Sequence, residues 1–152
     1  MHRPLFAPRG VPKLSCASAV KARLAIAITA DPELPVPPLL YGGIERVIDM
    51  LVRGLVDRGH HVVLFAHPGS NANCELIPYP GASSLSRRDT LRNLWAVSRT
   101  VVKGRFDVVH SFGRIAYLLP LLPLPIPKLM TGQREVTPRS VTPRSVRWEP
   151  AG

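Results

Sequence analysis

One stretch of the chain leaves little choice of fold. Residues 24–30, LAIAITA, form a continuous apolar run of strand length, the pattern of a central parallel strand covered on both faces. After a proline-rich loop over residues 31–41, Gly42 and Gly43 open a new segment. In it Ile44, Val47, Ile48, Leu51, Val52, Leu55 and Val56 recur at spacings of three and four, with Glu45, Asp49, Arg53 and Asp57 on the other face. This is the periodicity of an amphipathic helix. Gly59 supplies its stop, and residues 61–66, HVVLFA, are a second β-branched apolar run. Strand, glycine turn, helix, glycine and strand within about 45 residues make a βαβ unit with a right-handed crossover.

The second half repeats the logic. Residues 74–79 are expected as a short third strand. Ser86 with Asp89 three residues on resembles a capping box, ahead of a helix that puts Leu91, Leu94, Trp95, Val101 and Val102 on one face. Residues 106–110, FDVVH, read as the fourth strand, 113–119 as a short helix and 128–131 as the fifth strand. The expected fold class is α/β, a doubly wound parallel sheet of strand order 3-2-1-4-5 with helices on both faces.

The 152 residues make one domain at most. Three segments are expected: a basic, unstructured extension over 1–21 with Pro4, Pro8 and Pro12, a Rossmann-like domain over 22–135, and an irregular tail over 136–152. The tail holds TPRSV twice in tandem, at 137–141 and 142–146, too short for a structural repeat. A natural start near Val20, just before the first strand, fits this division. The net charge of +10 invites a nucleic-acid reading, but it is concentrated at the ends. Residues 1–30 hold five basic and no acidic side chains, while 31–130 hold eleven and eight. A terminal surplus is weak evidence for a nucleic-acid face on the folded part, so nucleic acid is not the expected partner.

Cys16 and Cys74 lie far apart without CxxC spacing, which suits reduced thiols in a cytoplasmic protein as well as a single disulfide. The apolar uncharged run 115–127 is broken by Pro120, Pro123, Pro125 and Pro127 and is shorter than the ~20 residues of a membrane span. No transmembrane segment is expected. Residues 24–30 would be a minimal signal-peptide core, but they read equally as the buried strand.

In an open doubly wound sheet, ligands bind beyond the carboxyl ends of the strands where the strand order reverses, here between strands one and four. The loop after strand one carries Tyr41, Gly42 and Gly43; the loop after strand four carries His110, Ser111 and Gly113. Both face one crevice. The glycines bare backbone N–H groups at a helix start, where an anion is favoured, although a tight turn alone also calls for them. His110 is placed to donate a hydrogen bond to a sugar hydroxyl or to developing negative charge, and equally to serve as a satisfied structural residue. GxGxxG is absent, which argues against a dinucleotide cofactor. Gly54 and Gly59 have P-loop spacing, but His60 and His61 stand where Lys and Ser or Thr are required. His60, His61 and His67 make no zinc set, and no DxD is present to hold a metal-bound diphosphate. The site is expected to need no metal and no cofactor.

The combination is recognisable. LLYGGIERVIDMLVRGLVDRGHHVVLFA (residues 39–66), with FDVVHSFGR (residues 106–114), closely resembles the amino-terminal domain of family-4 glycosyltransferases of the GT-B fold, over roughly residues 23–135. The resemblance implies a Rossmann-like half of such an enzyme. It implies retaining transfer of a sugar from a nucleotide-sugar donor to a glycan, lipid or small-molecule acceptor, without an obligatory metal. The glycine loop of that family lies near the donor diphosphate, which maps to Gly42 and Gly43, and its histidine after strand four contacts the transferred sugar, which maps to His110. Family members continue into a second domain with most nucleotide contacts, and that domain is expected to be absent here. The expectation is a truncated enzyme, cytoplasmic or peripheral to a membrane, inactive alone, and either paired with a separate carboxyl-terminal domain or self-associating. The alternative is a non-catalytic Rossmann-like binding module.

Overall fold

The computed structural model describes residues 23–132. The amino-terminal extension with Cys16 and the TPRSV tail lie outside the described residues. The chain runs β1 (Ala25–Thr29), α1 (Gly43–Asp57), β2 (His61–Ala66), β3 (Glu75–Pro78), α2 (Arg87–Lys103) and β4 (Val108–Ser111). Two 3₁₀ turns (Ile115–Tyr117 and Leu119–Leu121) then lead to β5 (Lys128–Met130). The strands form one parallel sheet of order β3-β2-β1-β4-β5. This is the Rossmann-like α/β fold and the strand order read from the sequence.

Period-two alternation divides the core into two layers. On one side Ile26, Ile28, Ala30, Val62 and Leu64 pack against Ile48 and Val52 of α1. On the other, Ala27, Val63, Phe65 and Val109 meet Val97 and Val101 of α2, joined by Tyr79, Tyr117 and Leu121. β1 and β2 are thus covered on both faces, which is why they read as unbroken apolar runs. Removing each Ile, Leu or Phe side chain from water contributes about 1.5–3 kcal/mol. β3 and β5 form the two short edges. Pro78 sits at the end of β3, where its missing N–H disrupts no interior ladder.

α1 presents the expected apolar face: Ile48 and Val52 are in the core and Ile44, Leu51, Leu55 and Val56 pack against it, with Val47 alone half exposed. Glu45 and Asp49 on its flank are buried as well. Ala72 and Cys74 join the α1-side core, and a Cβ built on Gly42 would meet both Glu45 and Pro38. Asp49 is held by an ion pair to Arg53 at 3.0 Å. α2 differs from the expected orientation. Its buried positions are Asn93, Val97 and Val101, while Leu91, Trp95 and Val102 face outward. A polar anchor sets this roll. Asn93 is fully buried and exchanges two hydrogen bonds with the backbone of Gly81, accepting at 2.8 Å and donating at 3.0 Å. A buried amide left unpaired would cost more than the exposed apolar side chains do.

The expected helix over 113–119 is replaced by the two 3₁₀ turns. Pro120 has no N–H to donate to the carbonyl of Ala116, and its ring crowds that carbonyl, so an α-helix cannot run through. The cap on α2 forms as expected: the Asp89 N–H donates to Ser86 Oγ at 3.2 Å. Among the described residues Cys74 has no disulfide partner, and burial pushes its thiol up to about 11. Among the described residues, no helix is long and apolar enough to cross a membrane.

Candidate active site

β1 and β4 are neighbours, with Ile28 opposite His110 and Thr29 opposite Ser111, so their carboxyl ends emerge side by side. The two exits are tied together. The Phe112 N–H donates to the Thr29 carbonyl at 2.8 Å, and the Tyr79 hydroxyl donates to the Ala30 carbonyl at 3.2 Å. A Cβ on Gly113 would lie 2.8 Å from that same Ala30 oxygen, so only glycine allows this approach. Above the junction opens a cleft of about 820 Å³. It is lined by Asp31 and Glu33 after β1, Glu45 in the first turn of α1, Ser84 before α2, and Gly113 and Arg114 after β4.

The residues singled out in the sequence occupy different places. Gly42 caps α1 at φ 146, and the Glu45 carboxylate folds back over it, 2.6 Å from where a Cβ would stand. Gly43 begins the helix with open space where its side chain would be. The first-turn N–H groups there have no intrahelical acceptor. The pair borders the cleft through the next two residues, Ile44 and Glu45, which line it. Tyr41 is 88% exposed and does not line the cleft. Gly113 lines it directly.

His110 is half-buried at the rim of the sheet, outside the set of lining residues. Its Nε2 lies 2.8 Å from Thr131 Oγ1, and its ring lies 4.2 Å from that of Phe112, which does line the cleft. Burial holds the imidazole below its ordinary pKa, keeping it neutral at pH 7. Ser111 does not reach the cleft. Its hydroxyl is fully buried and accepts from Thr29 Oγ1 at 2.8 Å, on the face of the sheet turned away from His110.

Sequence reasoning missed the charged lining. Glu33 accepts from the N–H and hydroxyl of Ser84 at 2.9 and 2.6 Å, and these bonds hold its carboxyl below the usual range. Burial pushes Asp31 up. With Glu45 these carboxylates outnumber Arg114, so this wall of the cleft is acidic. Position offered a signal, since Asp31 and Arg114 each follow a core strand closely at its carboxyl end.

The other histidines have local partners. The Leu24 N–H donates to His60 Nδ1 and the Gly69 N–H to His67 Nδ1, while His61 pairs with Glu75 at 3.2 Å. Among the described residues, no three His, Cys, Asp or Glu side chains gather in a set suited to a metal ion.

Comparison with solved structures finds the same fold in glycosyltransferases. AviGT4, a glycosyltransferase involved in avilamycin A biosynthesis, shares 26% identity with a TM-score of 0.54, over 70% of this chain and 31% of that one. A glycosyltransferase from Rickettsia africae ESF-5 matches at 19% identity and a TM-score of 0.54, over 72% and 29% of the two chains. MurG of Acinetobacter baumannii matches at 17% and 0.51, over 70% and 34%. The chain spans about a third of the length of these structures. None of the curated proteins matches the sequence. The model of glycosyltransferase family 4 matches residues 41–132, which begin beside the glycine pair, run through β4 and end at the far lip of the cleft. On that match, over more than half its length, the chain belongs to glycosyltransferase family 4.

Proposed function

We propose that this domain is the acceptor-side wall of a retaining glycosyltransferase that transfers a sugar from a nucleotide-sugar donor without a metal. The observation that carries the reading is the junction of the β1 and β4 exits under a cleft whose wall is rich in carboxylates. Carboxylates accept hydrogen bonds from sugar hydroxyls, and Asp31, Glu33 and Glu45 offer several acceptors in one place. The same charges repel a diphosphate. Its neutralisation therefore falls to the first-turn N–H groups at Gly42 and Gly43, to Arg114, and above all to groups across the cleft.

In the reaction the bond between the donor C1 and the diphosphate oxygen breaks, and the nucleoside diphosphate leaves with that electron pair. An acceptor oxygen forms the new bond to C1 on the face the diphosphate vacated, and its proton passes to the departing phosphate. The family resemblance assigns His110 to the transferred sugar as a neutral hydrogen-bonding group; it stands beside the cleft lining next to Phe112, with its Nε2 on Thr131. One wall leaves the site open to water, so efficient transfer requires a second domain that closes the cleft.

The competing reading is a non-catalytic binding module, favoured by the exposure of Leu39, Leu40 and Tyr41 beside the glycine turn. The two separate on one experiment. The chain is run on size exclusion and assayed with nucleotide sugars, alone and with a carboxyl-terminal glycosyltransferase domain supplied in trans. Restored transfer with retained anomeric configuration supports the enzyme; stable self-association without transfer supports the module.

A further inference from the structure

The carboxylates along the cleft are not equally satisfied. Glu33 takes both the N–H and the hydroxyl of Ser84, at 2.9 and 2.6 Å. Asp31 accepts the Glu33 N–H at 3.0 Å, and the Arg114 charge acts on both of these carboxylates. Glu45 differs. It lines the cleft and is only 4% exposed, yet among the described residues its carboxylate has neither a hydrogen-bond donor nor an ion pair. The first turn of α1 favours an acid here, but the helix dipole replaces only part of the hydration the group has lost. A carboxylate has no proton to give, so whatever completes it must donate, and a buried charge calls for a cation.

We infer that the cleft receives an acceptor carrying a protonated amine, an amino sugar or aminocyclitol, with its ammonium group against Glu45. That the bound molecule is the acceptor rests on the glycosyltransferase reading above; that it is cationic rests on the wall itself. Three carboxylates face one guanidinium, and neither lysine nor histidine lines the cleft. A neutral hydroxyl would satisfy a lone pair of Glu45 and leave its charge uncompensated. An ammonium does both, with three donors to share among neighbouring acceptors. A bare metal ion suits the wall less, because among the described residues no three acidic, His or Cys side chains gather closely enough to ligate one. Spread carboxylates suit a molecule with one ammonium and several hydroxyls. The ammonium has no lone pair, so it is held rather than glycosylated, and it turns a neighbouring hydroxyl toward the donor C1.

The test uses the full chain without donor, titrated by NMR with methyl glucosaminide and, as neutral matches, methyl glucoside and the N-acetylated glucosaminide. The amine should bind about tenfold more tightly than either neutral sugar, the margin between a charge-assisted and a neutral hydrogen bond. Glu45→Gln keeps the size of the side chain and should remove that margin without lowering the melting temperature. Should it fail to fold, Asp31→Asn with Glu33→Gln gives a second reading and should narrow the margin to about threefold. Equal affinity for amine and neutral sugars, or a margin that survives these variants, overturns the inference. So does a gain in amine affinity with Arg134→Gln, since position 134 follows the lining Gly132 by two residues and its guanidinium would then be what the carboxylates hold. Transfer in the enzyme reconstituted with a second domain judges the glycosyltransferase reading separately. Transfer to neutral acceptors alone would sink the amine and leave that reading standing; amine binding with no transfer to any acceptor would uphold the cationic site and sink the reading.

Discussion

Gly113 and Ala30 touch where the two strand exits meet: the Ala30 carbonyl oxygen occupies the space within 2.8 Å of the Cβ that Gly113 lacks. Since the obstructing atom is backbone, it cannot move aside as a flexible side chain would. Gly113→Ala is expected to cost about 1–3 kcal/mol, as overpacking does. Urea denaturation checks this, and an unchanged midpoint would show that the exits have slack.

The glycine pair should divide its roles. Gly42→Ala meets both the left-handed backbone and the Glu45 carboxylate, and should destabilise by about 1–2 kcal/mol. A Cβ on Gly43 meets nothing within 4 Å, so Gly43→Val should leave the melting temperature within a few degrees. In an enzyme reconstituted with a second domain, it should nevertheless weaken donor binding by blocking the helix start. Isothermal titration with the nucleotide sugar decides this, and unchanged affinity would remove Gly43 from the site.

Ser111 tests the difference between a site residue and a core residue. Ser111→Ala strands the buried Thr29 hydroxyl and should cost about 1–3 kcal/mol with no change in KM. Adding Thr29→Val removes the stranded donor and should restore much of the loss. A rise in KM for Ser111→Ala without loss of stability would return this serine to the cleft.

His110 gives a pH dependence of known sign. Its pKa in the folded chain is below the ordinary 6.5 because burial opposes the charge. Between the folded and unfolded values the unfolded chain binds more protons, so stability falls as the pH drops through about 6.5. His110→Gln should flatten the denaturation midpoint between pH 7.5 and 5.5 while retaining a partner for Thr131. Asp31, pushed up by burial, contributes only at lower pH and in the opposite direction. Reconstituted activity should fall more than stability does in His110→Ala; equal losses would assign His110 to packing.

How much of this was legible follows the range of each signal. β2 was readable to the residue and β1 to within one at each end, because strands covered on both faces leave an unbroken apolar run. The Ser86 cap was readable because its bond spans three residues. The acidic lining was not, since Glu33 and Ser84 meet across 51 positions and nothing local marks either of them.

The amino-acid order by itself determined the succession of elements and the parallel sheet, because hydrophobic period, glycine stops and caps act over a few residues. Tertiary structure alone decided how α2 is rolled. The seat of Asn93 on Gly81 sets its buried face, turning Leu91 and Trp95 to the surface. It likewise decided that Ser111 belongs to the core and Glu33 to the cleft. A side chain's surroundings depend on which distant segment arrives beside it, and a buried polar group must take its partner from there.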